Sequence, residues 1–282
     1  MRSILSAVGA LAVLIAGAAI ALRGPARAEN GAPRDGDREI DGAALFATVR
    51  AYVEAGPAAE GLPSKDAVRA LILDRLRATK AKVQVLPVVA ETPAGRWELE
   101  NLFASFHPEA KDRVLLGAHW DTRPWAERDP DPARRGQPIA GANDGGSGVA
   151  VLIGIAEALS KHPPPPGLGV DLAFFDGEEG FHGDMDEWFY GSKDLAERWY
   201  RTGVAPPRAG VVVDMVGRKG LRIPREGISD GSPGGPALLD RLFGIAKEKG
   251  YRSFVDRPGP QVLDDHLAFL ARGIPVVDLI DL

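Results

Sequence analysis

Apolar residues along the chain recur with two different spacings, and the two kinds of segment alternate. Helical spacing, in which apolar positions return every three or four residues, predicts helices at 43–55, 65–79, 148–159, 192–200, 237–249 and 266–271. Alternating or continuous apolar runs predict strands at 82–90, 98–106, 113–118, 170–175, 209–216 and 274–280. Ser64 is expected to cap the second helix and Gly250 to end the fifth.

The alternation of strands with helices predicts the fold class. A short continuous apolar run such as 113–118 is typical of a strand that is buried on both faces of a largely parallel sheet. We therefore expect an α/β fold: a three-layer α/β/α sandwich around a mixed, mostly parallel central sheet. It forms a single domain over residues 41–282, without internal repeats. The polar, Pro-rich stretch 122–142 is expected to be a long functional loop.

The N-terminus has the pattern of an export signal. Arg2 precedes an apolar run over residues 4–22, which is followed by the small-residue site Ala26-Arg27-Ala28. This order is typical of a secretory signal peptide, with cleavage expected after Ala28. The run is also just long enough to act as an uncleaved N-terminal membrane anchor. We expect a flexible leader over 29–40 and an exported protein, periplasmic or extracellular.

Composition limits the chemistry that the domain can perform. The chain has 282 residues, a formal net charge of −5, five His and no Cys. The absence of Cys excludes disulfides, thiolate zinc sites, iron–sulfur clusters and a Cys nucleophile. The acidic balance gives no electrostatic footprint for nucleic acid, so we expect no nucleic-acid partner. Any metal ion must therefore be held by carboxylates and by some of the five His.

The informative polar residues come where predicted strands end. These residues are His119, Asp121, Asp144, Asp176, Glu178, Glu179, Asp214, Asp264, Asp265 and His266. The loops at the carboxyl ends of strands in an open α/β sheet line one crevice, where ligands bind. Several carboxylates that converge there cannot all stay ionised and unpaired. A divalent cation is the natural neutraliser, and nitrogen and oxygen ligands suit zinc or a harder ion.

Each of these residues also has a structural interpretation. Asp144 is positioned to cap the helix that follows it, and the run 264–266 to cap the last helix. Glu178 and Glu179 are compatible with two solvated surface charges. His119 is compatible with a structural role, in which its imidazole forms hydrogen bonds inside the fold. Asp214 is the hardest to explain in this way, because an acid inside an apolar strand needs a partner.

Six segments, read in order, resemble the zinc-dependent aminopeptidase superfamily that also contains the glutaminyl-peptide cyclotransferases. They are LLGAHWD (115–121), GANDGGSGVA (141–150), FFDGEEGF (174–181), YGSKDLA (190–196), VVDMVG (212–217) and DDHLAFLARGIPVVDLI (264–280). The first three resemble the whole superfamily. The FFDGEEGF and YGSKDLA pair and the last segment resemble the cyclotransferase branch, with bacterial glutaminyl cyclase-like members as the nearest group.

The resemblance implies roles for individual residues. Asp144 and Glu179 correspond to zinc ligands, and Glu178 corresponds to the catalytic acid/base. Asp214 corresponds to a carboxylate that binds a second zinc in aminopeptidases and lies near the substrate amine in cyclotransferases. Asp265 corresponds to an acid that supports Asp214. His119 corresponds to a ligand of the second zinc in aminopeptidases and is not required as a ligand in cyclotransferases.

The activity implied by the resemblance is zinc-dependent conversion of the N-terminal Gln of peptides to pyroglutamate, with release of ammonia. The alternative is a zinc aminopeptidase that removes N-terminal residues. A cyclotransferase would use one Zn²⁺ and an aminopeptidase two. Peptide or protein N-termini are the expected partners in both cases. A second alternative is a metal-free, non-catalytic binding or scaffold domain.

The last strand marks one departure from the family pattern. The family's remaining zinc His normally lies in a Trp-His or Tyr-His segment just after this strand, whereas the sequence ends at Asp281-Leu282. Either the sequence is truncated at its C-terminus, or the protein binds metal differently. In the second case His119 or His182 substitutes as a ligand, or the site is inactive.

Overall fold

A computed structural model describes residues 40–92, 95–180, 188–202 and 205–282. The predicted signal peptide over 1–28, the leader apart from Ile40, and His182 lie outside the described residues. Among the described helices, none combines the length and the apolar character that crossing a bilayer requires.

The central element is a six-stranded sheet with the strand order β1-β2-β4-β3-β5-β8. Its strands are β1 (Lys82–Thr92), β2 (Gly95–Phe106), β3 (Asp112–His119), β4 (Leu168–Phe175), β5 (Ala209–Asp214) and β8 (Val276–Ile280). The β1–β2 and β2–β4 pairs are antiparallel, whereas the β4–β3, β3–β5 and β5–β8 pairs are parallel. Because only β2 runs against the others, β3, β4, β5 and β8 end at the same edge of the sheet.

Helices cover both faces of this sheet. They are α1 (Gly42–Ala55), α2 (Pro63–Arg77), α3 (Gly146–Lys161), α4 (Tyr190–Thr202), α5 (Gly227–Gly231), α6 (Gly235–Glu248) and α7 (His266–Leu270). One apolar core joins α1, α2, α3 and α6 to the sheet, and another joins α4 and α7 to its opposite face. Within β3, Leu116 belongs to the first core and Leu115 to the second, as the two-residue period of a strand requires. The predicted mixed α/β/α sandwich is confirmed.

A second, two-stranded parallel sheet was not predicted. It pairs β6 (Ile223–Arg225) with β7 (Phe254–Pro258) beside β8. These strands have three and five residues, and Pro224 and Pro258 interrupt their apolar pattern. Runs this short give no measurable period in the sequence, so neither these two strands nor the five-residue helix at Gly227–Gly231 was predicted.

Some predicted element ends need correction. Ser64 does not cap α2, because the helix begins at Pro63, two residues before its predicted start at residue 65, and its N-cap is Leu62. Proline is favoured in the first turn of a helix, where its missing N–H costs nothing, and the Ser64 hydroxyl donates instead to the carbonyl of Pro57 at 2.5 Å. Gly250 follows α6 with a φ of 74°, as expected for a glycine that ends a helix.

Helix α3 approaches the sheet closely at Gly148. A Cβ atom at this position would lie 2.6 Å from the carbonyl oxygen of Val213 and 2.8 Å from the Cβ of Ala118. Neither atom is the end of a flexible side chain, so the helix would have to move away from β3 and β5. This contact matters for function because the active-site candidates lie at the ends of those two strands.

We predict that Gly148→Ala lowers the free energy of unfolding by about 1–3 kcal/mol, as expected for overpacking. Gly244→Ala is the matched control, because Gly244 lies in α6 and a Cβ there would meet no atom within 4 Å. The control should raise stability by about 0.5–1 kcal/mol, the usual helix preference for Ala over Gly. Urea unfolding of both variants measures the difference, and equal effects would contradict the proposed close approach.

Candidate active site and metal centre

The predicted site residues meet at the edge of the sheet where the parallel strands end. His119 is the last residue of β3 and Asp214 the last residue of β5, which is the neighbouring strand. Asp144 lies just before α3, and Glu178 and Glu179 follow β4. Three different segments therefore place acids around the imidazole at the end of β3.

His119 lies at the centre of this group. Its Nε2 is 3.1 Å from Asp144 Oδ1 and 3.2 Å from Asp214 Oδ1, and its Nδ1 is 3.8 Å from Glu178 Oε2. The ring is buried, with 2% of its side chain exposed. Ligand atoms of His119, Asp144 and Asp214 lie within 4.8 Å of one another, and within the described ranges they form the group that can hold a metal ion.

The backbone around Asp144 is shaped to bring its carboxylate to His119. Gly145, the N-cap of α3, has a φ of 78°, and a Cβ there would lie 2.8 Å from the carbonyl oxygen of Asp121 and 3.2 Å from His119 Cε1. Only glycine tolerates both conditions. The N-cap makes no side-chain hydrogen bond. The interpretation of Asp144 as a helix cap is therefore wrong.

Asp214 is held by a sharp change of chain direction. The predicted strand 209–216 ends early, at Asp214, because Met215 has a φ of 49°. This left-handed conformation is uncommon for a residue other than glycine. It turns the N–H of Met215 back to Asp214 Oδ1 at 2.7 Å. Asp214 thereby keeps a fixed orientation toward His119.

Asp121 positions the two adjacent glutamates. Its Oδ1 accepts the backbone N–H of Glu178 at 3.2 Å, and its Oδ2 accepts that of Glu179 at 3.1 Å. Glu178 is 9% exposed and Glu179 is 5% exposed, so they are not a solvated surface pair. The two backbone bonds fix the loop after β4, from which both side chains enter the site.

Glu179 has a partner that the sequence did not indicate. Arg123 Nη1 is 2.8 Å from Glu179 Oε2, and the guanidinium also pairs with Glu127 at 2.5 Å and stacks 4.8 Å from the Trp188 ring. The structure thus brings together His119, Asp144 and Asp214 as candidate metal ligands. The predicted ligand Glu179 forms an ion pair with Arg123 instead.

Two acids that precede the last helix, Asp264 and Asp265, lie close enough to Glu178 and Asp214 to interact with them electrostatically. Asp264 and Asp265 are buried, and Asp264 accepts the backbone N–H of Asp265. Asp265 makes no side-chain cap bond to α7, and among the described residues its two oxygens have no hydrogen-bond partner. His266 lies apart from the metal-ligand candidates, with its Nε2 3.5 Å from Glu226 Oε2. The predicted contact of Asp265 with Asp214 is therefore not a hydrogen bond in this structure.

Burial and mutual repulsion change how these acids titrate. Burial raises the pKa of Glu178 well above its ordinary value, against the attraction of His119. Burial and the charge of Asp144 raise the pKa of Glu179 to about 8, and burial raises that of Asp265 to about 7. Burial alone would lower the pKa of His119, but Glu178 and the neighbouring aspartates raise it well above its ordinary value. The cluster as a whole favours a positive charge at its centre.

Comparison with known proteins identifies the family of this fold and site. The model of peptidase family M28 matches residues 101–281, which include every site residue discussed above. The chain belongs to peptidase family M28. The predicted resemblance is confirmed, and the chain is an enzyme. Cyclotransferase and aminopeptidase activities both fit this membership.

Three relatives illustrate the similarity. A glutaminyl-peptide cyclotransferase of Bos taurus is 27% identical over 257 residues, which cover 78% of this chain and 67% of the relative. A glutaminyl cyclase structure from Bacteroides thetaiotaomicron, bound to N-acetylhistamine, has a TM-score of 0.78 and 32% identity over 86% of this chain and 84% of its own. A Zn-dependent exopeptidase from Parabacteroides distasonis has a TM-score of 0.79 and 31% identity over the same shares.

The residues of this M28 chain fit a zinc ion. Zinc is bound in proteins by His nitrogen and carboxylate oxygen, both of which the His119, Asp144 and Asp214 group supplies. Burial and the neighbouring acids raise the pKa of Glu178 and Glu179, and a divalent cation in the cluster would stabilise their charged forms. The same group is present whether the M28 site holds one ion or two.

Several residues that support the site were not predicted. Lys65 lies behind it, 2.8 Å from both Asp176 Oδ1 and Glu60 Oε2, and 5.3 Å from the Trp120 ring. The hydroxyl of Tyr52 donates to the carbonyl of Trp120 at 2.8 Å. Both residues occupy ordinary positions on amphipathic helices, so no sequence signal separates them from their neighbours. Arg123 lies in a loop whose apolar residues have no regular spacing, so the sequence pattern does not indicate its contacts.

We predict that Arg123→Gln makes metal-free protein less stable by about 1–2 kcal/mol, because a half-buried partner of Glu179 is lost. Zinc should then stabilise the variant more than the wild type, since the ion supplies the positive charge that Arg123 provided. Thermal unfolding with chelator and with zinc measures both effects. Arg134→Gln is the control, because Arg134 is 66% exposed on the same loop. A zinc-induced shift no larger in Arg123→Gln than in wild type contradicts the prediction.

Proposed function

We propose that this M28 chain is a zinc-dependent glutaminyl-peptide cyclotransferase, which converts the N-terminal Gln of peptides to pyroglutamate. The observation that carries the proposal is one compact donor set with a buried glutamate beside it. His119, Asp144 and Asp214 lie within 4.8 Å of one another, and Glu178 Oε2 is 3.8 Å from the same imidazole. The relatives and neighbours named as cyclotransferases or glutaminyl cyclases support the choice.

The reaction closes a ring within one residue. The α-amine nitrogen of the substrate forms a bond to the side-chain γ-carbon, the carboxamide C–N bond breaks, and ammonia leaves. Amine and carbonyl belong to the same residue, so orientation in the site supplies much of the rate enhancement. The burial of His119, Glu178 and Asp214 limits the access of water to that part of the cluster.

Glu178 is the proton carrier in this proposal. Its carboxylate accepts a proton from the attacking α-amine and returns it to the departing ammonia, so the group is regenerated in each cycle. The two backbone bonds from its loop to Asp121 hold it in place. Asp214, fixed by the N–H of Met215, is positioned to accept a hydrogen bond from the substrate amine, and Asp265 supports the buried charge behind it.

The metal ligands in this proposal are Asp144 with His119 as the imidazole donor, and Glu179 or Asp214 as the further carboxylate. A zinc ion held there supplies Lewis-acid polarisation of the γ-carbonyl. Arg123 contacts only Oε2 of Glu179, so Oε1 could coordinate the ion while this ion pair is kept. Arg123 then remains beside Glu127, which already pairs with it.

The alternative function is that of a two-zinc aminopeptidase. The placement of His119 and Asp214 supports this alternative. These two residues correspond to second-zinc ligands in the aminopeptidase branch, and they lie 3.2 Å apart. The Zn-dependent exopeptidase neighbour has the same overall similarity as the glutaminyl cyclase. In that reaction Glu178 would deprotonate a water molecule that attacks the scissile amide.

The protein is further proposed to act outside the cytoplasm, in the periplasm or the extracellular space. The support is the sequence pattern of Arg2, the apolar run 4–22 and the small residues at 26–28. Peptide or protein N-termini in that compartment are the proposed substrates.

We predict that Glu178→Gln lowers kcat for Gln-peptide cyclisation at least ~100-fold, because the amide cannot carry the proton. Zinc content should be retained, since Glu178 is not a proposed ligand. Glu109→Gln is the control, because Glu109 is exposed on a turn distant from the site. Steady-state kinetics with metal analysis by mass spectrometry measures both properties. A variant that keeps its zinc and more than a tenth of wild-type kcat contradicts the role of Glu178.

We also predict that the zinc-loaded full chain binds one zinc ion and converts peptides with N-terminal Gln, which lose the mass of one ammonia. Leucyl-amide substrates should remain intact, because a single ion does not generate the water nucleophile of a two-metal site. Native mass spectrometry and product analysis provide both measurements. Two bound zinc ions together with leucyl-amide hydrolysis would establish the aminopeptidase instead.

A further inference from the structure

Lys65 on helix α2 is largely buried behind the loop that carries Glu178 and Glu179. Only 13% of its side chain is exposed, although lysine is rarely buried unless it is paired. Its Nζ lies 2.8 Å from Asp176 Oδ1 and 2.8 Å from Glu60 Oε2. Asp176 is the more buried partner, with 1% of its side chain exposed against 31% for Glu60. The ion pair with Asp176 is therefore the contact that solvent and salt screen least.

Asp176 connects this lysine to the start of the loop. It is the first residue after β4 and lies two residues before Glu178. Its second oxygen, Oδ2, accepts the backbone N–H of Glu100 on β2 at 2.9 Å. The backbone N–H of Asp176 donates to Asn101 Oδ1 on the same strand at 3.1 Å. One carboxylate thus joins β2 and, through Lys65, helix α2 to the point where the loop begins.

The other end of the loop is held by a second buried carboxylate. Asp121 accepts the backbone N–H groups of both Glu178 and Glu179. Burial raises the pKa of Asp176 to about 6; the attraction of Lys65 opposes this rise, and the charge of Asp121 adds to it. Burial alone would lower the pKa of Lys65, but the charges of Asp176, Asp121 and Glu60 raise it. Lys65 therefore compensates the two carboxylates that hold both ends of the loop.

We propose that Lys65 is a positioning residue, which keeps residues 176–179 in the conformation that places Glu178 at the substrate. It acts through Asp176 and touches no reacting atom. The inference rests on the proposed function for the role of Glu178, and the aminopeptidase alternative uses the same glutamate. Loss of Lys65 alone leaves Asp176 as a buried charge without its cation, which is more disruptive than the loss of both members of the pair.

The first test compares steady-state kinetics of the zinc-saturated full chain with those of two variants. Lys65→Met keeps an unbranched side chain and removes the charge. We expect its kcat for Gln-peptide cyclisation to fall at least ~10-fold with KM changed less than ~2-fold, because a displaced proton carrier slows the chemical step. Lys65→Arg keeps the charge and should retain a kcat within about threefold of wild type.

A second replacement separates positioning through Asp176 from a general loss of structure. In Lys65→Met/Asp176→Asn the buried charge is gone, and the amide oxygen still accepts the N–H of Glu100. We expect this double variant to recover kcat at least ~3-fold over Lys65→Met. Lys80→Met is the control, because Lys80 is exposed beyond the end of α2, and it should keep the wild-type kcat. A double variant no more active than Lys65→Met overturns the proposal.

Amide hydrogen exchange tests the same claim without any activity. The N–H groups of Glu178 and Glu179 are bonded to Asp121, so exchange in segment 176–180 should be at least ~10-fold faster in Lys65→Met, while helix α6 keeps the wild-type rate. If wild type cyclises no peptide, the cyclotransferase proposal fails and the exchange measurement alone decides the role of Lys65. Equal exchange of segment 176–180 in wild type and Lys65→Met, or equal acceleration in this segment and in α6, overturns the inference.

Discussion

A cluster of carboxylates around one buried imidazole is the constraint on which this structure depends. Asp144 and Asp214 lie 3.1 and 3.2 Å from the same nitrogen of His119, and Glu178 lies 3.8 Å from the other. Carboxylates this close together need a compensating positive charge, which a protonated His119 or a bound metal ion can supply. Burial raises the pKa of both Glu178 and Glu179, and the charges of the neighbouring acids raise it further. The fold thus places the acids of this M28 chain where they can hold a metal ion.

The fold maintains this arrangement through backbone geometry that few residues tolerate. Gly145 has no room for a side chain against the carbonyl of Asp121, and Met215 keeps a left-handed conformation immediately after β5. Such strained positions cluster at functional sites because the surrounding packing stabilises them. The close contact of α3 with the sheet at Gly148 is part of that packing.

Much of the fold and the location of the site followed from the sequence, because both depend on local patterns. Continuous apolar runs such as β3 and β5 predicted buried parallel strands, and acids at strand ends predicted one crevice. The pairing of Arg123 with Glu179 did not follow, since it joins a loop without a period to a residue 56 positions away. The β6–β7 pair was missed because three to five residues are too few to show alternation. Ser64 was assigned to the wrong position because Pro63 begins the helix.

The most direct test of the central claim is the position of the metal ion in a crystal of the zinc-loaded protein, measured from anomalous diffraction at the zinc absorption edge. The account predicts a zinc peak at bonding distance, about 2.0–2.2 Å, from a carboxylate oxygen of Asp144. Asp144 is the proposed ligand that the one-zinc and two-zinc alternatives have in common. A well-ordered His119, Asp144 and Asp214 group in zinc-saturated crystals with no peak among these residues would contradict the account.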